Sequence, residues 1–71
     1  MTILIFKEKD KIVKSLASNI DINLVVEMIV NVCGMNWRVA DFISDPDYDT
    51  NTFILVPVKN GITKLDGYFV K

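Results

Sequence analysis

The closing stretch of the chain constrains its fold most tightly. Residues 53–58 form the apolar run Phe-Ile-Leu-Val-Pro-Val. After one lysine come Asn60-Gly61, the apolar Ile62 and Leu65, Asp66-Gly67, and Tyr68-Phe69-Val70. An Asn-Gly pair between apolar runs is the strongest short-range hairpin signal, because a type I′ turn needs positive φ at both central residues. Residues 52–70 are therefore predicted to form a β-hairpin or three-stranded meander that anchors a small sheet. No activity is written in it.

The chain has 71 residues, a single cysteine, Cys33, and no histidine. Domains this small are often stapled by disulfides or a metal. An internal disulfide and a zinc finger are both excluded here, and no cofactor is expected. With no histidine to activate it, the lone thiol reads as a small apolar filler. A thiol without a partner points to a reducing compartment. Yet 51% of the residues are hydrophobic, and the mean hydropathy is +0.32. A small body has too much surface for its volume to hide that many apolar side chains. An exposed patch is expected, and with it self-association or a protein partner.

A net charge of −1 gives no footprint for direct nucleic-acid binding. Residues 1–6 are apolar, but Lys7-Glu8-Lys9-Asp10-Lys11 follows at once. Neither a secretory leader nor a membrane span is expected. The expected setting is the cytoplasm, or the host cytoplasm if the chain is phage-encoded, without membrane contact.

Residues 2–6 read as a strand with Ile3 and Ile5 on one face and Leu4 and Phe6 on the other. Both faces are apolar, which suits a central or doubly covered strand. Residues 11–17 fit either a second strand pairing with 2–6 or a helix capped by Asp10. The short polar link favours the hairpin. Ser18-Asn19-Ile20-Asp21 has capping-box spacing, and a helix over residues 19–33 is predicted, with Gly34 at C′. Its polar residues Asn23, Glu27 and Asn31 recur every four residues, while Leu24, Val25, Val26, Met28, Ile29, Val30 and Val32 wrap the rest. A helix apolar around most of its circumference needs cover on more than one side. Val26 and Val30 are accordingly expected in a homodimer interface. Residues 36–43 are expected as a short helix capped by Asn36, with a strand as the alternative. Residues 44–51 read as a polar loop punctuated by Pro46.

Asp45, Asp47, Asp49 and Asn51 alternate like the opening of a calcium loop. Thr50 and Val56 stand where such a loop wants Gly and a bidentate Glu, so no metal is expected. With Asp41 nearby, these carboxylates are instead candidates for contact with a basic partner. Lys7, Lys9, Lys11 and Lys14 are interleaved with Glu8 and Asp10, the pattern of a solvated tip. Trp37 reads as core despite its neighbour Arg38. The three glycines lie too far apart to cradle a phosphate. Without histidine, a general base would have to be a carboxylate, a lysine or the α-amine of Thr2 after loss of Met1.

The opening Met1-Thr2-Ile3-Leu4-Ile5, the charged turn and Lys11-Ile-Val-Lys-Ser-Leu-Ala-Ser18 resemble the first hairpin of proteasome β-subunit-like N-terminal-nucleophile hydrolases. Residues 53–68 resemble the tail of short phage-type members, and residues 24–45 match the helix and loop between. The family pattern calls for an acid near Leu16 and Ala17 and a lysine on a later strand. The acid is absent, the chain is far shorter than the family fold, and only Thr2 carries over. The resemblance implies a shortened, inactive relative.

The fold expected from the sequence is α+β: an antiparallel sheet of residues 2–6, 11–17 and the 52–70 hairpin, packed on the 19–33 helix. The expected function is a non-enzymatic interaction protein that self-associates and binds or inhibits a larger partner, in the style of phage-encoded host modulators. The partner-binding residues are Val26, Val30, Asp41, Asp45, Asp47 and Asp49. The alternatives are a remnant or active threonine hydrolase acting through Thr2, and a binder of basic or nucleic-acid-binding proteins through the acidic loop.

Overall fold

Two tight turns set the architecture. Lys9 and Asp10 both have positive φ (50° and 66°), as do Cys33 and Gly34 (52° and 91°). Each pair links strands in register, Glu8 opposite Lys11 and Val32 opposite Met35. Positive φ at both central residues is the type I′ geometry whose twist suits a two-residue hairpin. The computed structural model describes residues 1–20, 22–58 and 67–69. It contains β1 (Thr2–Glu8), β2 (Lys11–Ser18), β3 (Ile29–Val32), β4 (Met35–Asp45), β5 (Thr50–Pro57) and β6 (Gly67–Phe69). Among the described residues there is no helix.

The strands form one mixed sheet in the order β2-β1-β5-β4-β3-β6. The β1–β5 and β3–β6 pairs are parallel and the others antiparallel. After the first hairpin the chain crosses from β2 to β3, and β4 and β5 then fold back until β5 lies between β4 and β1.

One face holds the core. Leu4 and Phe6 of β1 lie opposite Phe53 and Leu55 of β5, Leu55 lies opposite Val39 of β4, and Trp37 lies opposite Val30 of β3. All of these are buried, together with Val32. The sheet curls around this face. β1 and β4 are two places apart, roughly 9.6 Å in a flat sheet, yet the Phe6 and Trp37 ring centroids are 4.8 Å apart, edge to face. Register breaks at Phe6/Lys7 on β1 and at Val39/Asp41 on β4. Such bulges bend and twist a sheet. The result is a half-barrel with a filled concave side.

The segment between β2 and β3 straps this concave side. Leu24 and Met28 pack on the core. The Thr2 hydroxyl donates to Ile20 O (2.9 Å) and accepts from Ile22 N–H (3.1 Å). At the other end Glu27 N–H donates to Val39 O, and Val39 N–H donates to Met28 O. Glu27 sits at φ 83°, and its exposed carboxylate pairs with Arg38 at 3.1 Å. Thr2→Val should therefore lower stability by about 1–2 kcal/mol, the cost of leaving two part-buried backbone groups unpaired. A urea midpoint would read this, and an unchanged midpoint would show that the strap is not held there.

The expected α+β class is overturned: among the described residues the protein is all-β, with no main helix. Residues 19–33 become the strap, β3 and the turn. The β-branched Ile29, Val30 and Val32 suit a strand, and burial alternates along them. The strand lets the core face take Val30 and Val32 without an apolar residue on every side. Residues 36–43 lie within β4, so the short helix is also replaced. The 2–6 strand and the hairpin with 11–17 are present, and β1 is internal to the sheet as expected. The sheet is mixed, not antiparallel. β5 pairs with β1 and β4, and β6 pairs with β3, so these two strands are not hairpin partners. The expected Asn60-Gly61 turn lies outside the described residues.

Candidate functional site

Alternation along each strand puts a second set of side chains on the convex face, and many of them are aliphatic. Ile3 and Ile5 of β1 point away from the core. Ile5 lies opposite Ile54 of β5, and Ile3 opposite Thr52. Ile54 and Thr52 lie opposite Asp41 and Ile43 of β4, and Val56 opposite Arg38, which in turn faces Ile29 of β3. Ile12 and Ala17 of β2 extend the face beyond Lys7 and Ile3. Ile3, Ile5, Ile54 and Val56 are only half-buried, and Ile12 and Ile43 are exposed. A one-sided sheet usually alternates apolar-in with polar-out. Here both sides are apolar, and among the described residues no second layer covers the outer one.

A groove of about 380 Å³ crosses this face, lined by Lys7, Lys9, Asp10, Ala40, Asp41, Ile54, Val56 and Pro57. The β4 bulge creates part of it. Register steps from Val39–Leu55 to Asp41–Ile54 and leaves Ala40 as the extra residue. The β1–β2 turn supplies Lys9 and Asp10. The floor is aliphatic, and the walls carry charges of both signs. An apolar floor ringed by mixed charges is the composition of a protein-docking surface.

The residues expected at a partner interface do not gather there. Val30 is fully buried (0% exposed) in the core, whereas Val26 lies in the strap turn, 42% exposed. The helical face that would have joined them does not exist. Asp41 belongs to the convex groove, its carboxylate accepting from Phe42 N–H at 2.8 Å. Asp45, Asp47 and Asp49 sit at the β4–β5 tip. There Asp45 accepts from Asp47 N–H at 3.1 Å, and Asp49 takes a positive φ of 51°. Their visible work is to shape the turn. Among the described residues no group of three acidic, cysteine or histidine side chains could hold a metal ion.

Thr2, the residue carried over from the hydrolase resemblance, is 1% exposed, and both bonds of its hydroxyl go to the strap. Cys33 is exposed at its turn, not an apolar filler, while Trp37 is core as expected. Among the described residues no helix is long and apolar enough to cross a membrane. The aliphatic convex face was missed as a site, although its signal was present: residues 2–6 and 53–56 are apolar at both parities. No protein-family model, curated protein or solved structure matches the chain.

Proposed function

We propose that this chain is a non-enzymatic protein-interaction module that self-associates as a two-fold dimer through the convex face of its sheet. The observation that carries this reading is the aliphatic convex surface of Ile3, Ile5, Ile54 and Val56, each partly exposed, with Ile43 exposed beside them and no second layer over them among the described residues. Stable domains bury such a face under a second layer. A second copy supplies one, since two twisted sheets pack face to face at about 30°. Charge supports a second copy as the occupant. Lys7 and Lys9 share the groove with Asp10 and Asp41, so a two-fold axis can set the cations of one protomer against the anions of its partner. A self-complementary patch is what an isologous interface requires.

Ile54→Lys tests this. The residue is half-buried on the convex face and outside the core cluster, so the fold should survive, with an unchanged far-UV circular dichroism spectrum. An ammonium group without a partner in a desolvated interface should raise the dimer dissociation constant at least about tenfold, since that factor needs only about 1.4 kcal/mol. Sedimentation equilibrium would measure it. A wild-type chain that stays monomeric at high concentration, or a dimer indifferent to the substitution, would overturn the proposal.

A further inference from the structure

The geometry points to a small-molecule site at the open mouth of the half-barrel, taking a single-ring aromatic carboxylate. A cavity of about 150 Å³ lies between Phe6 of β1, Lys14 of β2, Val32 and Cys33 at the end of β3, and Met35 and Trp37 of β4. β2 and β3 are four places apart in the sheet, so only the curl brings their side chains to one cavity. No strap residue lines it.

Three features select the ligand. Volume is the first: about 150 Å³, open to solvent on the side of Lys14, Cys33 and Met35, is room for one benzene-sized ring and little more. The second is the wall: Phe6 and Trp37 stand edge to face at 71°, and with Val32 they offer aromatic and aliphatic contact to a planar ring. The third is charge. Lys14 is the one charged residue of the lining. It lies opposite Phe6, so its stem can run along the apolar wall while the ammonium stays at the rim. Among the described residues the Lys14 ammonium has no ion pair or hydrogen-bond partner. A ring seated on Phe6 and Trp37 with its carboxylate outward meets that ammonium in a charge-assisted contact. The site lies on the concave side, away from the proposed dimer face, so the two readings stand or fall separately.

Trp37 is the only tryptophan, so its emission reports occupancy directly. Sodium benzoate titrated into the full chain should give a saturable change in Trp37 emission, with amide shifts confined to residues near 6, 14 and 32–37. Benzyl alcohol and acetate, lacking the charge or the ring, should bind more weakly. Lys14→Met keeps the stem and removes the charge. It should weaken benzoate about three- to tenfold, as expected for a partly exposed charged hydrogen bond, and leave benzyl alcohol unchanged. Ile54→Lys should bind benzoate like the wild type. No saturation, shifts scattered over the sheet, or equal benzoate affinity in Lys14→Met would overturn the assignment. So would Trp37 emission that tracks protein concentration without benzoate, which would give the cavity to a side chain of a second copy.

Discussion

Val30→Asp should abolish folding, not merely assembly. Val30 lies on β3, has no exposed surface and belongs to the core cluster formed among the described residues. A carboxylate there has no described cation in the cluster, and burying an unpaired charge costs several kcal/mol. A chain of this size has only about 4–10 kcal/mol of net stability at the usual scale per residue. The expected result is loss of amide shift dispersion and of the cooperative thermal transition. Val26→Asp is the matched control, because Val26 is substantially exposed in the strap turn. It should cost no more than about 0.5 kcal/mol, as surface changes do. A folded, monomeric Val30→Asp would restore the helical interface that the sheet replaces.

Leu55→Ala should be the most damaging truncation in the sheet. Leu55 lies on a strand bonded on both sides, with Phe6 and Val39 as its neighbours in register, and is fully buried. Removing its side chain leaves a cavity at the centre of the core, at a cost of about 2–5 kcal/mol. In a domain this small each kcal/mol moves the melting temperature by about 4–8 °C, so the midpoint should fall by more than about 10 °C. Ile54→Ala, one residue earlier and on the opposite face, should cost about half as much or less, because its side chain is only half-buried in the monomer. Equal losses at the two positions would contradict a one-sided core.

The difference between those two neighbours also shows what could be read from the chain. Residues 2–6 announce a strand, and their double apolar parity places it inside a sheet. The short polar link at Glu8–Lys11 selects the first hairpin. The second hairpin was hidden. Cys33-Gly34 carries the glycine of a type I′ turn but not the asparagine or aspartate that usually precedes it, so Gly34 read as a helix cap. The recurrence of Asn23, Glu27 and Asn31 every four residues mimicked a helical stripe. In the structure Asn23 and Glu27 belong to the strap, while Asn31 donates to the Asn36 side chain across the hairpin at 2.8 Å. The spacing was coincidental. The β-branched Ile29, Val30 and Val32 carried the truer signal. Non-local pairing, with β5 parallel to β1 across more than forty residues, leaves no local mark. The excess of apolar residues was legible as an interface, but its location was not. It requires knowing which side of a single sheet the strap covers.

Intermolecular contacts will test the convex-face interface most directly. In a sample mixing isotope-labelled and unlabelled copies, filtered NOE spectra detect only contacts between protomers. Methyls of Ile5, Ile54 and Val56 should show them, while those of Leu4, Val39 and Leu55 should not. Contacts confined to the core-face methyls, or the absence of any at concentrations where the chain sediments as a dimer, would contradict an interface on the convex face.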